Sequence, residues 1–593
     1  MRMEKNNAAL TVKAISGTHV VLLAFKPAQA AAADLRGFAI QRSTAGGQKF
    51  WLKGIKFFDG SVASPVRGAE YSSQEQPFQT FFWSDYAATP GTTYTYSIVP
   101  RLGTPGSLRD GEAIDIAITT EPEDDGKHGV WFNRGIVASH KFAQKFQNAP
   151  LTDEMANNVN AQGKLLSEEA AWLSRGLAEA CLAYINGTKA GEGLRVCAYE
   201  FTWAPVLEAL KRAVDRGVDV QIIYHAVDDN KKALAAAGIP DHILTERTRP
   251  PIPHNKFIVK IVGGKPRHVW TGSTNFTSTG FMGQTNVGHL VTDDKVAETY
   301  LKYWTGLQGN PTVKNALALA TSLTPNPANA IAKDSTELFY SPRIADNMLD
   351  WYAMRIRDAC TLAMITLPFN VAKQILAGLD EARRSLRLVI LETEPDKFVI
   401  DAEKRNAGKL AFSNGAILGK IFLHNKAGGA KVAPISQGKL DDWFIKEELA
   451  RPTNTGHVFF LHAKILLIDP LSDDPLVCTG SANFSSNSLV SNDENMLLIR
   501  GNTRVADIYL TELDRIFKHF HDRNAINRGA LAGEQRDLIH LDTTQAWIDG
   551  NFKPGSYKNS RLMTFFPEAA SDCAWSANGG ADPDIFADEA LKG

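Results

Sequence analysis

Two stretches decide the fold: HNKFIVKI at residues 254–261 and HAKILLID at residues 462–469. Each opens on histidine, one variable residue and lysine, then runs into apolar residues in the manner of a buried strand. In an extended chain, residues two apart project to one face. His254 therefore pairs with Lys256, and His462 with Lys464. An imidazole beside an ammonium is poor core material, because a buried charge needs a partner. A second echo follows each: TGSTNF from Thr271, with Gly272, Ser273 and Asn275, and TGSANF from Thr479, with Gly480, Ser481 and Asn483.

The surroundings repeat as well. LRVCAYEFT reads as a strand, APVLEALKRAVDRG as an amphipathic helix with Val206, Leu207, Leu210 and Val214 on one face, and VDVQIIYHAV as a buried strand. Downstream, CTLAMITLPFNV, AKQILAGLDEARRSL, LRLVILETE and HVFFLHAKILLID return in the same order. The period is too long for a solenoid. It predicts an α/β fold of two homologous lobes, 128–325 and 334–525, with βαβ units and mixed or parallel sheets. Ahead of them, residues 1–122 hold about seven short β-rich runs separated by Gly, Pro, Asp and Ser, the pattern of an all-β sandwich. EPEDDGKHG, from Glu121, reads as a polar linker. A tail, 526–593, is expected to pack partly on the second lobe, with its last stretch loosely ordered.

Composition narrows the function. At 593 residues the chain exceeds a single core, and its net charge of −1 exerts no global pull on a polyanion. The five cysteines, Cys181, Cys197, Cys360, Cys478 and Cys573, are scattered without a CxxC pair. That argues against a disulfide framework and for a reducing cytoplasm. The apolar run from Val20 to Phe25 stops at Lys26, too short for a secretory leader, and no run approaches the ~20 apolar residues that span a bilayer.

The paired motifs suit a phosphate diester. Lysine neutralises phosphoryl oxygens as a point charge, and each Gly-Ser turn adds hydroxyl and amide groups. One set grips half of a phosphate; two facing sets enclose it. Two histidines can then divide the work. One attacks phosphorus to give a covalent phosphohistidine, while the other protonates the leaving alcohol and then activates water or an acceptor alcohol. Lys256, Lys464, Asn275 and Asn483 would stabilise the equatorial charge, with Ser273 and Ser481 binding phosphate or holding their turns. No Asp/Glu cluster or HExxH accompanies the motifs, so no metal or other cofactor is expected.

These motifs resemble the phospholipase D superfamily, whose signature is HxKxxxxD followed by a GSxN turn. HAKILLID matches it fully. HNKFIVKI carries Ile261 where the second copy has Asp469, a residue that in such proteins supports the motif from behind; tyrosyl-DNA phosphodiesterases do without it. The resemblance covers residues 129–524 and extends to bacterial phospholipase D-like proteins. FWSDYAATPGTTYTYSIVP, from Phe82, resembles a fibronectin type III domain, a kind of module that binds or spaces. Equally far past each Gly-Ser turn stand Glu494 in the second copy and Asn286 in the first. In the resembling enzymes this position reaches the histidine of the opposite lobe. The resemblance thus implies His254 as nucleophile, oriented by Glu494, and His462 as general acid/base.

The leading expectation is a metal-independent phosphodiesterase that hydrolyses or transfers a phospholipid headgroup, with peripheral membrane contact. The alternative is a nuclease using the same two-histidine site, and the third an inactive scaffold whose N-terminal domain binds a partner. Arg247 and Arg249, just before His254, are read as a solvated loop. His225, His268, His289, His457, Cys197 and Cys478 are read as ordinary structural residues.

Overall fold

The computed structural model describes residues 1–65, 69–135, 142, 145–147, 151–328, 330–392, 395–414, 461–531 and 540–567; for 522–531 only the backbone is described. The strand expected at HVFF, His457 and the end of the tail lie outside these residues.

The N-terminal region is all-β. One sheet holds Arg2–Asn6, Leu10–Ser16, Val21–Pro27 and Phe82–Asp85. The other is built on Leu35–Thr44 and Thr93–Thr104, flanked by Phe50–Trp51, Ser107–Asp110 and Ile114–Thr119. Alternation puts Val12, Phe38, Tyr96 and Ile116 inside, all fully buried. Phe25 of the first sheet meets Phe38 of the second at a ring separation of 4.9 Å.

Two seven-stranded sheets follow, matched strand for strand. The first runs His128–Phe132, Val287–Thr292, Lys265–Gly272, Lys256–Val262, Gly193–Ala198, Asp219–His225, Leu244–Arg247. The second runs Ser335–Ser341, Glu494–Arg500, Leu476–Gly480, Ile465–Ile468, Leu362–Leu367, Leu386–Leu391, Leu410–Asn414. In both, the last three strands are parallel and the other pairings antiparallel. The histidine-lysine strand is the fourth of seven in each. This topology brings four chain segments to one end of each sheet: the entry of the fourth strand, the exit of the third, the entry of the second and the exit of the fifth. Chemistry placed on any of them converges there. Helices cover the faces, as the periodicity predicts for Ala204–Asp215, which buries Val206, Leu207 and Leu210.

The lobes interlock through helices that leave their second strands. Asp294–Gln308 of the first lobe carries Tyr303, whose ring stacks at 4.1 Å on Tyr340 of the second. Thr503–Leu531 of the second carries Tyr509, 5.0 Å from Phe132 of the first. Two buried ion pairs cross the same boundary. Arg247 pairs with Asp493 at 2.8 Å, both 1% exposed, which corrects the reading of Arg247 as a solvated residue; Arg249 is exposed. Arg175 pairs with Glu512 at 2.7 Å, and Arg515 joins at 2.9 Å.

The long helix also seats the β-sandwich. Arg2 bonds Asp507 at 2.8 Å, and Gly17 packs closely on the long helix, where a Cβ would lie 2.1 Å from the Thr511 hydroxyl and force it to move. The tail helix Ala546–Phe552 rests on the sandwich, with Trp547 against Phe81, and Tyr557–Phe565 lies between the sandwich and the second lobe, with Phe565 against Phe82 and contacts to Leu386–Leu391. Arg561 ties them to Asp514 of the long helix.

Burial opposes ionisation of Glu512, yet Arg175 and Arg515 hold its pKa at about 2. Its contribution to stability is therefore fully present above the ordinary glutamate range and lost as pH falls from there through 2. Replacing Glu512 with alanine strands two buried guanidinium groups, and denaturant unfolding at pH 7 should show a loss of about 3–5 kcal/mol.

Candidate active site between the lobes

Each Gly-Ser turn is shaped by a close backbone approach. A Cβ at Gly272 would sit 2.3 Å from the Val287 carbonyl oxygen, and one at Gly480 would sit 2.2 Å from that of Asn495. Each turn then places its serine against the side chain at the entry of the neighbouring strand. Ser481 donates to Glu494 at 2.7 Å, and Ser273 donates to Asn286 at 2.8 Å.

Glu494 and Asn286 both reach across the boundary. Glu494 Oε2 lies 2.9 Å from Nδ1 of His254, and Asn286 Oδ1 lies 2.8 Å from Nδ1 of His462. Each histidine is held by the opposite lobe. The lysines fold back on their own motifs: Lys256 Nζ donates to the His254 carbonyl at 2.6 Å, and Lys464 Nζ donates to that of His462. A belt of amides locks the lobes behind them, with Asn495 Nδ2 donating to Asn255 Oδ1 at 2.7 Å and Thr271 to Asn495 Oδ1 at 2.7 Å.

His254, His462, Asn275 and Asn483 line one cavity of about 500 Å³. Lys256, Lys464, Ser273, Ser481 and Glu494 lie behind its wall, each almost fully buried. Asp469 is brought to a different place. It sits at the far end of its strand and accepts from the backbone N–H groups of Cys360, Thr361 and Leu362, at 2.7–3.2 Å through Oδ1 and 2.9 Å through Oδ2. Its counterpart Ile261 instead packs over Gly193, whose missing side chain leaves room for it.

Four further residues join the site that sequence reading did not select. Tyr199 and Glu200 follow the exit of the fifth strand. The Tyr199 ring lies 4.8 Å from that of His254, and Glu200 accepts from Asn275 Nδ2 at 2.5 Å. Asn492 donates to Glu494 Oε1 at 3.1 Å, and the Gly280 carbonyl accepts from Asn286 Nδ2 at 2.8 Å. The strand exit beside a histidine-lysine strand was the available signal for the first two; no local pattern marks the others. His225 stacks on Tyr199 at 5.1 Å, and buried His289 bonds His128 at 3.0 Å and Tyr509 at 2.9 Å. Cys197 and Cys478 are buried free thiols. Among the described residues, no group of three or more His, Cys, Asp or Glu is placed to hold a metal ion.

Burial, reinforced by Lys256 and Lys464, pushes His254 well below the ordinary histidine range. The same causes, with His254 added, act on His462. Burial brings Lys256 down to about 8, and burial, with Lys256 beside it, holds Lys464 well below the ordinary lysine range. Burial raises Glu494 to about 7, opposed by Lys256. Burial among like charges thus favours the neutral forms of these histidines and lysines.

A family model described as cardiolipin synthase, PLD-like domain, matches residues 182–307 and 375–519, one segment in each lobe. The chain is similar to the phospholipase D family member Nuc from Salmonella typhimurium, at 30% identity over 21% of this chain and 82% of that one, with a TM-score of 0.19. It is also similar to phosphatidylserine synthase from Haemophilus influenzae, at 11% identity over 60% and 90% with a TM-score of 0.40. Yeast tyrosyl-DNA phosphodiesterase matches at 14% identity over 55% and 86%, with a TM-score of 0.30. No match was found among curated proteins.

Sulfate keeps its double charge between pH 7 and 9, whereas Lys256 loses its proton through about 8. The rise in melting temperature produced by sulfate should therefore be larger at pH 7 than at pH 9, and Lys256→Met should remove most of that difference.

Proposed function

We propose that this chain, which belongs to the phospholipase D superfamily, is a metal-independent phosphodiesterase that hydrolyses or transfers the headgroup of a phospholipid through a covalent phosphohistidine. The observation that carries the reading is the reciprocal support of the two histidines. Glu494 on His254 and Asn286 on His462 turn two half-sites into one cavity.

The substrate phosphate lies in the cavity between His254 and His462, with Asn275 and Asn483 on its flanks and Lys256 and Lys464 behind the wall. His254 Nε2 attacks phosphorus in line with the leaving oxygen. The P–O bond breaks, and the leaving oxygen takes a proton from Nε2 of His462, which the negative charge of the bound phosphate has brought to its imidazolium form by taking up a proton from solvent. The phosphorylated imidazole carries positive charge, which Glu494 neutralises. His462, now neutral, removes a proton from water or an alcohol, whose oxygen attacks phosphorus and returns the N–P bonding pair to His254. Preorganised cations hold the equatorial oxygens throughout.

A lipid diester is favoured over nucleic acid by the surface around the cavity. Phe369, 46% exposed, is part of its lining. Ile344 is 86% exposed just past the exit of Ser335–Ser341, and Phe398 is 71% exposed in the helix that follows Leu386–Leu391. These segments leave the second sheet at the end that carries the site. Exposed apolar side chains there suit a peripheral enzyme working at a lipid surface. Among the described residues, no helix is long and apolar enough to cross a membrane.

The test compares phospholipid vesicles with single-stranded DNA in EDTA. Wild type should release headgroup, and His254→Ala should lose about 10³-fold or more in kcat. His462→Ala should slow breakdown of the intermediate, so that label from the substrate phosphate stays on the protein. Cleaved DNA with intact lipid would reassign the site to nucleic acid, and full activity in His254→Ala would overturn the mechanism.

A further inference from the structure

The strand beside each histidine-lysine strand leaves its sheet at the site, and the two exits are not alike. In the first lobe Ala198 lies opposite Lys256. In the second, continuing the register of Ile365 with Leu466 sets Leu367 opposite Lys464. Two residues past these points stand Glu200 and Phe369, and both line the cavity. Equivalent positions thus carry a carboxylate on one wall and an aromatic ring on the other.

Glu200 is exposed, yet the backbone that bears it is pinned on both sides. Asn230, 1% exposed, donates to the Tyr199 carbonyl at 2.7 Å and accepts from the Phe201 N–H at 2.8 Å. The Glu200 carbonyl accepts from the Phe276 N–H at 3.1 Å. The carboxylate itself accepts from Asn275 Nδ2 at 2.5 Å. It therefore stands one side chain away from the place of the substrate phosphate. Among the described residues Glu200 joins no salt bridge, and it is the one carboxylate in the cavity lining.

A fixed negative charge at this point disfavours a bare phosphate, because like charges placed side by side repel. It becomes favourable when the ligand brings a cation close to its own phosphate. The diester of an amino alcohol does so, since a short carbon link joins its nitrogen to the phosphate oxygen. A nucleic-acid strand does the opposite and brings further phosphates. Asn275 can serve both ends of such a ligand, with one N–H on Glu200 and the other directed to the phosphate.

We propose that Glu200 is the subsite for a positively charged headgroup, so that the cavity takes phospholipids whose headgroup alcohol carries a cationic nitrogen. This deepens the proposed function by naming its substrate class, and rests on that reading for the reaction.

The first readout is calorimetric binding of three soluble diesters, glycerophosphoethanolamine, glycerophosphocholine and glycerophosphoglycerol, to full-length His254→Ala with and without Glu200→Gln. It needs no turnover, so it separates the subsite from the reaction. The nitrogen-bearing diesters should bind about fivefold or more tighter than the glycerol diester. Glu200→Gln keeps an acceptor for Asn275 and should bring that ratio close to one; Glu200→Lys should invert it. The second readout is headgroup release by the chain with His254 intact, from neutral detergent micelles holding phosphatidylethanolamine, phosphatidylcholine or phosphatidylglycerol. The same preference should appear in kcat/KM and fall with Glu200→Gln. A preference for ethanolamine alone would assign the subsite to an N–H donor, and one for ethanolamine and choline alike to charge. Equal or undetectable binding of all three diesters, or a preference that survives Glu200→Gln, would overturn the inference even if lipid is cleaved. An equal loss for every diester in Glu200→Gln would reduce Glu200 to a counter-charge for the lysines and overturn it as well. A preference that follows Glu200, with no headgroup released from any lipid, would instead count against the proposed reaction and leave the subsite standing.

Discussion

The structure turns on one constraint: each histidine takes the side-chain partner of its Nδ1 from the opposite lobe. His254 depends on Glu494, and His462 on Asn286. Everything that fixes the lobes against each other therefore also fixes imidazole geometry. The Tyr303–Tyr340 stack, the Arg247–Asp493 and Arg175–Glu512 pairs and the Asn255–Asn495 amide bond all act on the same boundary. Buried charged pairs add little net stability, but they tolerate little displacement, because a separated pair leaves a charge without a partner. A boundary built this way favours precise registration over strength.

Much of this was legible in the sequence because it is local. Strand candidates around His254 and His462 followed from apolar runs, and the duplication from the repeated order of elements. The α/β lobes and the all-β region before them are as those patterns implied. Glu494 stood out because a carboxylate interrupts a strand entry at the same distance from its turn as Asn286. Long-range partners were not legible. Arg247 sits among Thr, Arg and Pro in TERTRPP and looks solvated; only the folded chain brings Asp493 to it. The backbone carbonyl of Gly280 has no side-chain signature, so the polarity of the pocket around Asn286 could not be read at all. Tyr199 and Glu200 were hidden for another reason: they lie at a strand exit whose position beside Lys256 is set by strand order.

The missing aspartate at Ile261 also finds a physical account. In the second lobe Asp469 gathers backbone N–H groups at the start of Leu362–Leu367, far from the cavity. In the first lobe Ile261 fills space over Gly193. A polar clamp and an apolar contact are alternative ways to join the same two strands, so losing the carboxylate need not disturb the histidine end.

Joining both lobes in one polypeptide has a genetic consequence. Were the lobes separate copies of one gene product, any substitution at the crossing position would appear in both halves at once. Glutamate on one side and asparagine on the other could not coexist. Covalent fusion gives each half its own codon. The unequal pair at 286 and 494, together with the unequal pockets around them, is a difference that two copies of one gene product could not carry.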